Sequence, residues 1–204
     1  MKPACDTKEK LLLVAFDLLW DSSYGSVSVD DICRRAGINK GSFYHFFHSK
    51  ADLAVEAYEE HWRRMQPEFD RIFRAEVAPL ERIRQWCALV YDVQKEKADR
   101  YGRVCGCPYA SLGAELATQD EKIRSRLDRL LTRGRGYLQS ALADAIREGA
   151  VTATDAASAT QRAHSVCLGM LVDAKVRNNL DVLRDLEPAI MEIIGATDAA
   201  GARR

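Results

Sequence analysis

The chain has 204 residues, 47% of them hydrophobic, and its 30 lysines and arginines are balanced by 30 aspartates and glutamates. This composition is that of a folded globular protein, and the length suits one domain or two small ones. A uniformly basic nucleic-acid-binding chain is excluded, so any affinity for nucleic acid must come from a local patch. The longest apolar run, residues 11–16, is far shorter than the ~20 residues of a membrane span.

The first residues lack the long apolar stretch of a secretory signal peptide, so we expect a cytoplasmic protein with no membrane association. In that compartment cysteines are normally reduced. We therefore expect thiols rather than a disulfide framework at all six positions, Cys5, Cys33, Cys87, Cys105, Cys107 and Cys167.

Apolar residues recur with helical spacing along nearly the whole chain, and no alternating strand pattern occurs. In chain order, helices are predicted over about residues 7–20, 29–36, 40–47, 50 into the seventies, 79–101, 108–116, 120–148, 154–176 and 181–194. Pro67 should bend the fourth helix, and Pro188 should kink or restart the last. The tail, residues 199–204, should be frayed. The sequence thus predicts an all-α fold of about nine helices.

Residues 28–47, SVDDICRRAGINKGSFYHFF, form the most informative segment. Ser28 and Asp31 have the spacing of a capping box, and Gly37 is placed to end the first short helix. A second short helix follows after a tight turn. This is helix-turn-helix geometry, in which the second helix faces solvent. An ordinary helical hairpin is the alternative.

Three features favour DNA binding over a plain hairpin. No acidic residue occurs between Asp31 and Asp52, so positive potential is concentrated there. Gly41 costs about 1 kcal/mol relative to alanine inside a helix, but its missing side chain would let the backbone approach a phosphate. Tyr44 and His45 lie on the same face as Gly41, and their polar tips can reach phosphates or base edges.

His45 and His48 form a His-x-x-His pair. Two ligands do not make a zinc site, and no cysteine or acid nearby in the sequence completes one. We therefore predict no metal at this pair, and we predict no cofactor because no nucleotide, haem or phosphate motif occurs.

The N-terminal quarter of the chain contains apolar Leu12, Leu13, Phe16 and Leu19, followed by VDDI, AGINKGSFYHFF, SK and L within residues 29–53. This pattern resembles the DNA-binding region of TetR-family repressors. The match covers about residues 7–65. Ser23 and Cys33 depart from the family's usual glycine and alanine, at positions away from the DNA-facing ones. The resemblance implies a helix-turn-helix domain over residues 1–50 and a helical ligand-binding and dimerisation domain over residues 51–204.

The resemblance also implies a homodimer that binds a palindromic double-stranded DNA operator. By the family pattern, the residues facing DNA are Ser28, Lys40, Gly41, Ser42, Tyr44, His45 and Lys50. Lys50 would bind a phosphate beside the second helix. Phosphate contacts would position the protein, whereas Lys40, Ser42 and His45 are the candidates for reading bases.

In the family's arrangement the last two long helices, here about 154–176 and 181–194, form a four-helix bundle with those of a partner, although the first can also be an ordinary buried helix. The middle helices, about 50–147, would enclose a pocket for an unknown small-molecule effector. Candidate wall residues, each of which can equally be plain core, are Trp62, Met65, Phe69, Trp86, Val90, Tyr91, Tyr109, Leu112, Tyr137 and Met170.

The segment Cys105-Gly106-Cys107-Pro108 places a thiol at a predicted helix N-terminus. The helix dipole there favours the thiolate, and Arg100 and Arg103 add positive charge. Cys107, with Cys105 as a second candidate, can therefore be a thiol that senses electrophiles or oxidants. A purely structural role and a metal site are the open alternatives.

The predicted function is a DNA-binding transcriptional regulator, specifically a repressor released from its operator by a small ligand or by thiol modification. We predict that it is not an enzyme, because no nucleophile elbow, catalytic triad or paired-carboxylate signature occurs. A helical protein-interaction module and a helical enzyme without DNA binding are the alternatives. A steep fall of DNA affinity with salt would separate the regulator from both.

Overall fold

A computed structural model describes residues 4–197, with side chains from residue 7 onward. Within that range the chain forms nine α-helices, one short 3-10 helix (Leu180–Asp185) and no strand, which confirms the all-α prediction. The α-helices are α1 (Ala4–Asp21), α2 (Val29–Ala36), α3 (Lys40–Phe46), α4 (Lys50–Ile72), α5 (Pro79–Tyr101), α6 (Pro108–Leu116), α7 (Glu121–Arg147), α8 (Ala156–Arg177) and α9 (Leu186–Ile194). The Cys5 side chain and the tail predicted to be frayed lie outside the described residues.

Local capping signals set several of these helix ends. The Ser28 hydroxyl accepts from the Asp31 N–H at 3.1 Å, and the Asp31 carboxylate accepts from the Ser28 N–H at 3.0 Å, so the predicted capping box is present. Gly37 ends α2 with a φ of 64°. None of the helices within residues 4–197 combines the length and apolar character that a membrane span needs.

The last two helical segments differ in detail from the prediction. Asp155, rather than Thr154, caps α8, because its carboxylate accepts from the Ala157 N–H at 3.0 Å. Negative charge at this end also suits the helix dipole. The final stretch begins as the 3-10 helix and restarts as α9, with Pro188 in the first turn of α9, where its missing N–H leaves no helical bond unmade. The chain stays helical through Pro67 in α4.

The chain divides into two compact units. The first unit comprises the residues up to Gln66 together with Pro108–Leu130, and the second unit comprises Pro67–Cys107 together with the residues from Leu131 onward. This boundary differs from the predicted division at residue 50, because α6 and the first part of α7 pack with the N-terminal helices. The assignment of separate functions to residues 1–50 and 51–204 stays a prediction.

The core of the first unit is built on aromatic residues from α1, α3 and α4. The rings of Phe16 and Tyr58 make an edge contact with their centroids 5.0 Å apart, and Phe16 also stacks on His61 at 3.9 Å. Phe43 and Phe47 are fully buried. These contacts fix the position of α3 against the helices around it.

The second unit contains a buried arginine on α5. Arg82 is only 4% exposed, and its guanidinium donates to the carbonyl oxygens of Val77 at 2.7 Å and Ala75 at 2.9 Å. It also pairs with the Asp144 carboxylate of α7 at 2.6 Å. The hydrogen bond from Arg82 is the main reason why the pKa of Asp144 lies below its ordinary value. The guanidinium thus joins two helices and the loop before α5.

Candidate DNA-binding interface

Helix α3 is anchored along one side and open along the other. Phe43 and the adjoining Phe47 are buried, and the Asn39 side chain caps the helix by accepting from the Ser42 N–H at 2.8 Å. The remaining side chains of the helix are therefore presented in a fixed orientation, as recognition by a short helix requires.

The open side of α3 carries most of the predicted DNA-facing residues. Lys40, Gly41, Tyr44 and His45 are exposed, and Tyr44 retains 54% of its accessible surface. Ser42 is half-buried. These exposed positions of α3 are therefore accessible to a partner.

Gly41 has a local role that the sequence did not indicate. A Cβ atom built at this position would lie 3.2 Å from Oδ1 of Asn39, which is the oxygen that caps α3. A side chain would therefore crowd the cap. Close approach of the backbone to a phosphate, the reason predicted for this glycine, is compatible with the same geometry.

Ser28 and Lys50 both make hydrogen bonds to other groups of the protein. The Ser28 hydroxyl donates to Asp31 at 2.6 Å as part of the α2 cap. The Lys50 ammonium donates to the carbonyl oxygens of Tyr24 at 2.7 Å and Val27 at 2.9 Å, and lies 3.9 Å from the centroid of the Tyr24 ring. Because an ammonium has three N–H groups, one remains for the phosphate contact, which stays a prediction.

Glu115 of α6 binds the loop between α1 and α2, which is also the loop that Lys50 contacts. The sequence did not identify this role of Glu115. Its carboxylate accepts from the backbone N–H groups of Tyr24 at 2.9 Å and Gly25 at 2.6 Å. Glu115 also supplies negative charge that opposes the lowering of the Lys50 pKa by burial. A carboxylate that accepts two backbone N–H bonds holds its partner loop with directional, charge-assisted bonds.

Two ion pairs also join α7 to α4 within the first unit. Lys122 contacts Asp52, and Arg126 contacts Glu59 at 2.8 Å. Each pair links residues about 70 positions apart, so no local pattern in the sequence could have indicated it.

The cysteine segment lies in the second unit and is held by side-chain amides. The Gln94 side chain accepts from the Gly106 N–H at 2.8 Å and donates to the Gly106 carbonyl at 3.1 Å. Asn178, at the end of α8, accepts from the Val104 N–H at 2.9 Å. Cys105 is buried, with its thiol 3.7 Å from the Arg103 carbonyl, whereas Cys107 is half-buried and directly precedes α6.

The predicted pocket-wall residues divide between the two units. Trp62 and Leu112 of the first unit and Trp86 of the second are core residues. The others are half-buried, namely Met65 and Tyr109 in the first unit and Phe69, Val90, Tyr91, Tyr137 and Met170 in the second. Phe69, Phe73 and Tyr137 form one aromatic cluster. The centroid of the Tyr137 ring lies 5.4 Å from that of Phe69 and 5.5 Å from that of Phe73. No cluster of three or more potential metal ligands occurs among the described side chains.

Helix α8 has a buried face and an exposed apolar face. Ala159, Ala163 and Cys167 are buried, whereas Val172 and Val176 are 56% and 79% exposed. Burial, reinforced by the charge of Arg135, lowers the pKa of His164 on this helix to about 4. His164 is therefore neutral near pH 7, as suits a side chain next to an apolar surface.

Two family models match the chain, one after the other. The model described as "Bacterial regulatory proteins, tetR family" matches residues 11–57. The model described as "Tetracyclin repressor-like, C-terminal domain" matches residues 79–190, which is more than half of the chain.

Similar proteins extend the match over nearly the whole length. A helix-turn-helix transcriptional regulator of Lactococcus lactis is 27% identical, over 93% of this chain and 95% of the relative. The transcriptional regulator AcuR of Cereibacter sphaeroides is 32% identical, over 58% of this chain and 53% of the relative.

The transcriptional repressor NemR of Escherichia coli is 23% identical over 93% of this chain and 94% of the relative. The crystal structure of its reduced form superposes with a TM-score of 0.80 and 25% identity, covering 95% of this chain and 99% of that one. Its helices therefore follow the same order as those of this chain. The chain accordingly belongs to the TetR family of bacterial regulatory proteins, which are DNA-binding transcriptional regulators rather than enzymes and act on operator DNA as homodimers.

Proposed function

We propose that the protein is a cytoplasmic repressor whose homodimer binds a palindromic operator with one α3 helix in the major groove of each half-site. The observation that carries this proposal is the exposure of Lys40, Gly41 and Tyr44 on α3, a helix that buried Phe43 anchors in the core. The two half-sites of such an operator are spaced about 34–36 Å apart or at a related groove spacing. The name of the E. coli relative, a transcriptional repressor, favours repression over activation.

The dimer contact that we propose is the exposed apolar face of α8, together with α9. Val172 and Val176 are both large exposed hydrophobic side chains, and they lie one helical turn apart on α8. Two copies of this face would bury them in a symmetric bundle, as expected for an isologous interface.

Replacing Tyr44 with phenylalanine tests the DNA interface. A single hydrogen bond to a charged phosphate contributes about 1.5–3 kcal/mol, so loss of the hydroxyl should weaken binding by at least about tenfold for each half-site. Phosphates are the same in every sequence, and the factor should therefore be equal for operator and random-sequence duplexes. Fluorescence anisotropy at several salt concentrations measures both.

Tyr101→Phe, a change at the end of α5 in the second unit, is the matched control and should leave DNA affinity unaltered. A loss for Tyr44→Phe that is confined to the operator would assign Tyr44 to base readout instead. Affinity that does not fall as salt rises would contradict DNA binding through this basic surface.

The signal that releases the operator is, in this proposal, a small molecule bound among the middle helices or modification of Cys107. The position of Cys107 in the chain supports modification of this thiol as the signal. Cys107 directly follows Gly106, which is hydrogen-bonded to Gln94, and directly precedes α6, the helix that carries Glu115. Burial raises the pKa of the Cys87 thiol to about 12 and also raises that of Cys167. Neither of these two thiols is thereby set up to react as a thiolate.

Modification with N-ethylmaleimide tests the cysteine arm. The Cys107 thiolate would add to the carbon–carbon double bond of the reagent, and a proton from solvent would complete the addition. Operator affinity of the wild-type protein should then fall at least tenfold, whereas Cys107→Ser should keep its affinity after the same treatment. Cys167→Ser, a buried control, should respond as the wild type does. An equal response of the wild type and Cys107→Ser would eliminate Cys107 as the signal and leave the small-molecule arm.

A further inference from the structure

An ion pair links the two helices of the helix-turn-helix at the surface proposed to face DNA. The Lys40 ammonium, on the first residue of α3, lies 2.7 Å from Oδ1 of Asp30 in the first turn of α2. Both side chains remain more than half exposed, at 56% and 60%. We propose that Asp30 is a specificity-determining positioning residue, which holds Lys40 so that its ammonium reads a base edge instead of binding phosphates. The inference rests on the proposed docking of α3 in the major groove.

The carboxylate is mounted on a rigid support. Asp30 sits between the two ends of the capping box formed by Ser28 and Asp31. Ile32 and Ala36 of α2 and Phe43 of α3 are completely buried, so neither helix can turn without disturbing the core. The position of the Asp30 carboxylate relative to α3 is therefore fixed by packing.

Stability does not account for this pair. An exposed ion pair contributes about 0–1 kcal/mol. A carboxylate on a DNA-facing surface repels phosphates and therefore reduces affinity for every sequence. Asp30 and Asp31 are the last acids before residues 32–51, a stretch that contains none. Asp30 also lies in the first turn of α2, where negative charge suits the helix dipole, and its ion pair is made with Lys40.

A lysine whose ammonium is fixed by a hydrogen bond and a lysine that moves freely bind different groups on DNA. A lysine on a flexible four-carbon stem can follow the nearest phosphate. When one N–H group is bound to Asp30, two remain, and their position is restricted. Two donors at a fixed place suit O6 and N7 of guanine, which form the acceptor pair in the major groove that a lysine recognises. The hydrogen bond that Lys40 donates to Asp30 also raises the pKa of Lys40.

Selection from a randomised duplex library tests the inference with full-length protein. The variants are wild type, Asp30→Asn, Lys40→Met and the double variant, and the readout is the base preference at each position. The wild type should enrich a palindrome with one guanine per half-site that Lys40→Met loses. Asp30→Asn should lower that preference about threefold and leave the other positions unaltered. It should also bind random-sequence duplex about threefold more tightly, with a steeper dependence on salt.

Controls separate positioning from charge and from folding. Glu56→Gln removes one exposed carboxylate from the first unit, where Glu56 pairs with Lys8 at 2.7 Å, and it should leave every base preference in place. In the Lys40→Met background, Asp30→Asn should cause no further loss of preference. Circular dichroism should show equal helix content in all variants.

Three results would overturn the inference. The first is an unaltered guanine preference in Asp30→Asn, and the second is a further loss in the Lys40→Met background, which would mean that Asp30 reads a base by itself. The third is a palindrome in which no base depends on Lys40. If the wild type enriches no motif at all, the proposed function fails, and this inference fails with it.

Discussion

Replacing Arg82 with methionine is expected to lower the free energy of unfolding by about 3 kcal/mol. Removing one partner of a buried ion pair costs about 3–5 kcal/mol, because the other charge and its hydrogen-bonding neighbours lose their compensation. Here the substitution leaves the carbonyls of Ala75 and Val77 without their guanidinium donor. It also removes one of the two arginines that contact Asp144, the other being Arg147. Urea denaturation followed by circular dichroism measures the change.

Arg84→Met is the matched control on the same helix. Arg84 is about half exposed and pairs with Glu187 at 3.3 Å and Glu81 at 3.8 Å. Exposed pairs contribute about 0–1 kcal/mol, so the control should remain within about 1 kcal/mol of the wild type. Equal effects of the two substitutions would mean that the buried network does not stabilise the second unit.

Replacing Gly106 with alanine is expected to cost about 2–3 kcal/mol. Gly106 has a φ of 73°, a left-handed conformation that costs a residue with a side chain roughly 1–2 kcal/mol. A Cβ atom there would lie 3.3 Å from the Leu171 carbonyl and 3.2 Å from Cδ of Lys175. The carbonyl belongs to α8 and cannot yield by rotating a side chain, so the crowding adds to the backbone cost.

Gly102→Ala measures the cost of the left-handed backbone conformation in the absence of crowding. Gly102 has nearly the same φ, 72°, but no atom lies within 4 Å of the position that its Cβ would take. This control should lose only the backbone contribution, about 1 kcal/mol. The difference between the two variants in thermal or urea unfolding measures how tightly the cysteine segment is packed. Identical losses of stability in the two variants would show that the cysteine segment accommodates the added methyl group without crowding.

Features fixed by neighbours in sequence were predictable. The capping box of Ser28 and Asp31, the left-handed Gly37 and the first residues Pro79 and Pro108 all depend on residues within a few positions of one another, so their local chemistry determines the outcome. The same holds for the exposed side of α3, because helical spacing alone puts Tyr44 and His45, three and four positions beyond Gly41, on the same face as that glycine.

Features that depend on distant partners were not predictable. Lys50 reads as a free phosphate ligand in the sequence, yet two of its donors are bound by a loop more than 20 residues earlier. Glu115 and Arg82 look like surface charges of amphipathic helices. Only the tertiary fold brings the N–H groups of Tyr24 and Gly25 to Glu115, and only packing buries Arg82. The division at residue 50 rested on the helix-turn-helix alone and left out α6.

The contacts of Glu115, Lys122 and Arg126 restrict how this regulator can be recombined with its relatives. A chimera that transplants only residues 1–50 would leave Glu115 facing foreign residues at positions 24 and 25. A transplant of residues 1–66 would additionally separate Lys122 from Asp52 and Arg126 from Glu59. A graft that exchanges operator preference and keeps these contacts has to carry residues 108–130 as well, although they are distant from the helix-turn-helix in sequence.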